Sequence, residues 1–147
     1  MTDKSIGKYI SILSRQAQIY INRELKVYDI TSSEYIFLIN VPDYGDINQK
    51  QICDEFSIDQ AMATRSMKSL EKKGLVHREK NPSDKRAYMI SLTEKGKKIK
   101  PIIIEKLDNW TKLIAGDMSE ADFNTVLETL KYFSENAVKE VQNDPNE

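Results

Sequence analysis

The break at Ser57-Ile58-Asp59 constrains this chain more than any other feature. Before it, Ile52, Cys53 and Phe56 follow a start signal, Asn48 with Gln51 three residues on, and the run lasts only about two turns. After it, Asp59 is placed to cap a second helix near Gln60 to Lys73, and Gly74 suits a left-handed stop. Ala63, Met67 and Leu70 repeat at i, i+4 and i+7 and form that helix's inward stripe. Two helices joined by a three-residue turn fold across one another as a helix-turn-helix. The period then changes. Leu75 to Lys80 and Arg86 to Leu92 read as short strands around the polar loop Asn81-Pro82-Ser83-Asp84-Lys85. A hairpin directly after the second helix makes this a winged helix-turn-helix.

The flanks are helical. Ile6, Ile10, Leu13, Ala17 and Tyr20 or Ile21 define one long amphipathic helix over residues 5–28. Thr31-Ser32-Ser33-Glu34 has the form of a capping box, which starts a second helix near Ser33 carrying Ile36, Leu38 and Ile39. Pro42-Asp43-Tyr44-Gly45-Asp46 ends it in a turn. Thr93 caps a helix striped by Ile99, Ile103, Leu107, Trp110 and Ile114, although Pro101 within it is expected to kink or interrupt it. Ser119 with Asp122 starts the last helix, whose Phe123, Val126, Leu127, Leu130, Phe133, Ala137 and Val141 share a face; the tail from Gln142 is polar and expected to fray. Long apolar stripes at both chain ends have little partner inside so small a module and suit a second copy. The expected fold class is therefore mainly α with a small β-hairpin wing. Residues 30–96 form the winged helix-turn-helix lobe (helix-turn-helix 48–73, wing 75–92), and helices 5–28 and 97–141 form a homodimer.

Charge is distributed unevenly. The net charge of −1 hides a basic middle: residues 48–100 hold thirteen Lys and Arg against seven Asp and Glu, and the remainder holds nine against sixteen. Such asymmetry points to a localised site for a polyanion. One cysteine and one histidine can build neither a disulfide nor a zinc site of the usual type, and no metal or other cofactor is expected. The longest apolar runs, Tyr35 to Ile39 and Ile102 to Ile104, are too short to span a bilayer, and Met1-Thr2-Asp3-Lys4 has no secretory character, so the cytoplasm is the expected compartment. His77 would be the only histidine base, and it lies between Val76 and Arg78 on a strand without a nucleophile elbow or Gly-rich phosphate loop nearby; catalysis is not expected.

The helix Gln60 to Lys73 turns Ala61, Thr64, Arg65, Lys68 and Lys72 outward, with Gln60 beside them. In a reader of double-stranded DNA the N-terminal part of this helix enters the major groove. Arg65 suits guanine and Gln60 suits adenine, whereas Lys68 and Lys72 suit phosphate. Lys80, Ser83, Lys85 and Arg86 extend the contact through the hairpin, with Arg86 suited to a flanking minor groove. Asp84 is poorly placed beside phosphate and is expected to shape the wing by accepting from Arg86 or a nearby arginine. A solvated basic helix and a plain exposed hairpin turn are the bland alternatives.

These residues also carry a family resemblance. Gln51-Ile52-Cys53 through Ser57-Ile58-Asp59, Thr64-Arg65, and Leu70-Glu71-Lys72-Lys73-Gly74-Leu75-Val76 resemble the helix-turn-helix of MarR regulators, the multiple antibiotic resistance family. Arg78, Asn81-Pro82-Ser83-Asp84-Lys85-Arg86 and Leu92-Thr93-Glu94-Lys95-Gly96 resemble that family's wing and wing exit. The resemblance implies a homodimeric bacterial transcription factor on a pseudo-palindromic operator, many such proteins being repressors released by a small molecule or oxidant. Ala61-Met62 and Ser66 depart from the pattern, where small polar residues and a leucine are more usual; Ala61 or Met62 would suit a thymine methyl.

Cys53 stands where the resembling family usually has alanine, and its sensible role is packing rather than redox sensing. His77 reads as structural. Tyr9, Tyr20, Tyr28, Tyr35 and Tyr44 lie in the N-terminal helices, and Tyr20 and Tyr35 are candidates for a small aromatic ligand, against the plainer reading as core or interface aromatics. The rival to a DNA regulator is a winged-helix interaction or dimerisation module without specific DNA binding.

Overall fold

The computed structural model describes residues 4–143; Met1-Thr2-Asp3 and the tail beyond Asn143 lie outside the described residues. Six α-helices and three strands follow in the order α1 (Ile6–Leu25), α2 (Tyr35–Asn40), β1 (Ile47–Asn48), α3 (Gln49–Phe56), α4 (Gln60–Lys72), β2 (Val76–Asn81), β3 (Asp84–Leu92), α5 (Glu94–Ala115) and α6 (Glu120–Gln142), with a 3-10 turn over Lys26–Tyr28. The chain forms two compact units, Met1–Trp110 and Thr111–Glu147. No helix among the described residues is long and apolar enough to cross a membrane.

Local chemistry sets most boundaries. Asn48 caps α3 by accepting from the Lys50 N–H at 2.8 Å, and Gln51 reaches back to the Asn48 N–H at 3.1 Å. Ser57 takes a left-handed conformation (φ 51°), which lets the N–H of Ile58 close on the Cys53 carbonyl at 2.9 Å. Asp59 accepts from the Met62 N–H at 3.0 Å and starts α4. Gly74, at φ +72°, ends the following turn. The Thr93 hydroxyl accepts from the Gly96 N–H at 3.0 Å and donates to the Gly74 carbonyl at 2.7 Å, so one side chain caps α5 and ties it to the end of the helix-turn-helix. Ser119 caps α6 through the Asp122 N–H at 3.2 Å.

The first unit has one apolar core. Ile21 and Leu25 of α1, Phe37 and Leu38 of α2, Ile52 and Cys53 of α3, Ala63, Met67 and Leu70 of α4, Val76, Ile90 and Leu92 of the sheet, and Ile103 of α5 are buried together. Helices α1 and α5 also contribute to this core, through Ile21 and Leu25 and through Ile103. The N-terminal half of α1 behaves differently, leaving Ile6, Tyr9, Ile10 and Leu13 exposed. Helix α6 has no buried residue and exposes Val126, Leu127 and Leu130.

Four local expectations change. The second helix starts at Tyr35, not Ser33: Glu34 does reach back to the Thr31 N–H (3.2 Å), but Thr31 Oγ1 is engaged with Ser33 Oγ instead of capping an amide. A third strand, β1, pairs with β3 through Ile47 opposite Ile90, giving the sheet order β1-β3-β2. Pro101 does not interrupt α5; it sits on an exposed side, where the Lys97 carbonyl that it leaves without a donor can meet water. The hairpin connection is shorter than the expected five-residue loop: Asn81 pairs with Asp84, so only Pro82 and Ser83 lie between the strands. The Asn81 side chain drives that turn by accepting from the Ser83 N–H at 2.9 Å.

Candidate nucleic-acid interface

Helix α4 has two faces. Ala63, Met67 and Leu70 are fully buried, while Gln60, Ala61, Arg65, Lys68 and Lys72 are exposed and Thr64 is half-buried. Ser66, which stands where the resembling family more often has leucine, is buried and donates to the Ser33 carbonyl at 3.1 Å, which satisfies its hydroxyl. The C-terminal end of α4 is held by Lys73. Its ammonium meets the Glu34 carboxylate at 2.9 Å and also donates to the Asp29 carbonyl. Ser69 Oγ donates to the other Glu34 oxygen at 2.7 Å. These contacts pin the helix to the turn before α2 and commit Lys73 inside the protein.

The wing is irregular where its cations lie. Lys80 pairs with Tyr88 but Asn81 pairs with Asp84, so the register slips by three residues and Lys85, Arg86 and Ala87 form a bulge in β3. Asp84 Oδ1 accepts from the backbone N–H of Arg86 at 3.0 Å, closing the start of the bulge. The acceptance expected of Asp84 is thus made to the main chain of Arg86, not to a guanidinium. Lys80, Ser83, Lys85 and Arg86 are all exposed. The hairpin tip is Pro82-Ser83, and Arg86 does not occupy it. Arg86 instead lines a cleft of about 300 Å³ together with Gln60 and Thr64 of α4, Asn48 and Gln49 at the start of α3, and Tyr88.

Two residues of this site were not expected from the sequence: Gln49, and Arg78, which enters the sequence pattern only through the wing's family resemblance. Gln49 is buried (4 % exposed), with its amide Nε2 3.2 Å from Thr64 Oγ1 and its Oε1 3.2 Å from Arg78 Nε. The Arg78 guanidinium in turn lies 3.4 Å from the centroid of the Tyr88 ring. A polar chain thereby joins α4, α3 and the wing. The only sequence hint was a glutamine at the first position of a capped helix.

Cations differ in whether they are paired. Lys73, Lys100 and Lys106 in the first unit hold ion pairs with Glu34, Asp43 and Glu24. Among the described residues Arg65, Lys68, Lys72, Lys80, Lys85 and Arg86 hold none. Five of these positive groups lie on α4 and in the bulge and one, Lys80, lies on β2, so all six stay available to an external anion.

The remaining candidates lie elsewhere. Tyr20 stacks on Trp110 with ring centroids 5.0 Å apart, and Tyr35 is half-buried; both pack on the core, and neither lines the cleft beside α4. Burial pushes the Tyr35 hydroxyl above its ordinary pKa. Cys53 is buried with its thiol 3.8 Å from Gln60 Oε1, and burial, then the nearby acids Asp54 and Asp59, push the thiol up. His77 is exposed on β2. Among the described residues no cluster of His, Cys, Asp and Glu could hold a metal ion.

Comparison with known proteins gives this geometry a lineage. Residues 30–88 match the MarR family model, which spans α2 through most of the wing. The chain is 32% identical over 119 residues to the HTH-type transcriptional regulator SarZ of Staphylococcus epidermidis, covering 81% of this chain and 72% of that protein. A MarR transcriptional regulator from Methanosarcina mazei Go1 matches with TM-score 0.84 and 32% identity over 91% of this chain and 96% of its own. The chain belongs to the MarR family. Members of that family are transcriptional regulators and not enzymes, which opposes the interaction-module alternative. A MarR family regulator from Listeria monocytogenes, crystallised in complex with 26mer DNA, superposes with TM-score 0.89 at 26% identity, covering 98% of each chain.

Proposed function

We propose that this protein is a sequence-specific DNA-binding transcriptional regulator that reads duplex DNA with α4 and the wing. The observation that carries this is the contrast on α4: apolar side chains fully buried on one face and unpaired Arg65, Lys68 and Lys72 exposed on the other. The Listeria monocytogenes regulator crystallised with 26mer DNA supports DNA as the ligand of this fold. Gln60, Ala61, Thr64 and Arg65 read base edges, and Lys68 and Lys72 neutralise phosphate. Lys80, Ser83 and Lys85 reach the flanking backbone and minor groove from the hairpin. Arg86, in the bulge beside Gln60 and Thr64, bridges the two contacts, with Asp84 holding the bulge in shape.

The active species is a homodimer on a pseudo-palindromic operator. Ile6, Tyr9, Ile10 and Leu13 of α1 and Val126, Leu127 and Leu130 of α6 are exposed apolar residues at helical spacing, a pattern that a second copy would cover. It acts as a repressor in the bacterial cytoplasm, with a small effector able to shift its lobes off DNA.

The test is binding of the full-length protein to a selected duplex across a salt series. Log Kd should rise steeply with log salt, as expected when phosphate contacts release counterions. Arg65→Ala should relax sequence preference. Lys72→Ala should weaken every sequence alike and lower the salt slope by about 1. Uniform losses in both variants would show that α4 does not carry the reading face assigned to it.

A further inference from the structure

The amide of Gln49 has a direction that can be deduced. Arg78 can only donate hydrogen bonds, so the Gln49 atom facing Arg78 Nε at 3.2 Å is the carbonyl oxygen. The NH2 group therefore faces Thr64 Oγ1, also at 3.2 Å, and donates to it. Arg78 is itself seated on the Tyr88 ring. The chain runs one way, from Arg78 to Gln49 to Thr64.

The Thr64 hydroxyl spends a lone pair on Gln49 and keeps its proton. Helical threonines commonly give that proton to the carbonyl four residues back. Thr125 does so to Ala121 at 3.0 Å, and Thr129 does so to Thr125 at 2.8 Å. Thr64 does not: among the described residues its hydrogen-bond partner is Gln49. The proton is left for the cleft, where Thr64 stands with Gln60 and Arg86.

We propose that Gln49 is a specificity-determining positioning residue: by donating to Thr64 from behind, it makes the Thr64 hydroxyl an outward donor that selects a major-groove acceptor at one position of each half-site. Purine N7, guanine O6 and thymine O4 satisfy such a donor, whereas an amino group of adenine or cytosine can meet only the remaining lone pair and leaves the hydroxyl proton unpaired. The proposal rests on the DNA-reading role of α4. Gln49→Glu reverses the relay. An ionised carboxylate still accepts from Arg78 but has no proton for Thr64, so the hydroxyl donates inward and turns its lone pairs outward.

The experiment selects duplexes from a randomised pool with the full-length wild type, Gln49→Glu and Thr64→Val at one salt concentration. It then measures Kd on the wild-type site with base analogues that lack one major-groove acceptor at a time. The wild type should lose about tenfold at one half-site position, the effect of one hydrogen bond left unmade in a closed interface. Thr64→Val should be indifferent to that removal, and Gln49→Glu should select an amino-bearing base there. The analogue series is repeated with Gln49→Leu, which fills similar space without an amide and should lose the analogue effect, so the role of Gln49 is decided even where Gln49→Glu fails to fold; a Gln49→Leu protein that keeps the wild-type loss would overturn it. Equal analogue losses in the wild type and Thr64→Val, no analogue loss in the wild type, or an unchanged motif from folded Gln49→Glu would each overturn the relay. A wild type that selects no motif would overturn the DNA-reading role itself, a different failure.

Discussion

Replacing Lys73 by methionine tests whether the recognition helix is anchored as the structure indicates. Glu34 is the partner that suffers. Its side chain is 7% exposed and takes the Lys73 ammonium at 2.9 Å, the Ser69 hydroxyl at 2.7 Å and the Thr31 N–H at 3.2 Å. Removing one partner of a buried ion pair typically costs about 3–5 kcal/mol, because the other charge is left without compensation. Two features lower that here. Lys73 is 22% exposed, so water reaches the pair, and Ser69 and Thr31 still donate to the carboxylate. The expected loss is about 2 kcal/mol. An unfolding entropy of about 2.1 cal/mol/K per residue converts this, for 147 residues, to a fall in Tm of about 6 °C. The assay is thermal unfolding followed by circular dichroism at fixed protein concentration, since a dimer's Tm depends on it. Adding Glu34→Gln to Lys73→Met removes the stranded charge and should restore about half of the loss. A single variant within about 1 °C of the wild type, or a double variant less stable than the single one, would refute the reasoning.

Other sites give sharper or simpler outcomes. A Cβ on Gly96 would collide with the Leu75 carbonyl oxygen, which is fixed by the Thr93 N–H, so Gly96→Ala should cost about 2 kcal/mol and lower Tm by about 6 °C; an unchanged Tm would show that α5 does not rest on Leu75. Ser57→Val places a β-branched residue at φ 51° and should destabilise by about 1–2 kcal/mol, whereas Ser57→Gly should not, as denaturant midpoints would report. Burial raises the Cys53 pKa, so at pH 8 the thiolate fraction is smaller than in a free cysteine; iodoacetamide should label the native protein at less than about a tenth of the rate of the guanidinium-unfolded protein, and equal rates would contradict its burial.

The features legible in the sequence were those with local causes. Asn48, Asp59, Thr93 and Ser119 cap the helices they precede because a cap needs only the next three amides. Gly74 stops its turn for an equally local reason. The inward stripe of α4 was visible because Ala63, Met67 and Leu70 repeat at helical spacing. What was hidden depends on partners distant in sequence. Strand β1 is two residues long and exists only through Ile90 and Met89. Glu34 has the sequence form of a capping residue, yet two of its three partners lie on and after α4. Gln49 bridges Thr64, fifteen residues on, and Arg78, twenty-nine residues on, which no periodicity encodes. The slip that places Lys85 and Arg86 in a bulge follows from cross-strand register, and so Arg86 faces a cleft beside α4. Pro101 was expected to kink or interrupt the helix, and α5 runs uninterrupted through it with the proline on an exposed side.

Symmetric reading of a specific duplex by α4 and the wing is the proposal on which the others depend. Selection of bound duplexes from a randomised pool by the full-length protein, at physiological salt and followed by sequencing, tests it most directly. An inverted repeat with half-sites about ten base pairs apart, centre to centre, is the expected product. Recovery of duplexes with no enriched motif, or no recovery from folded protein, would contradict it.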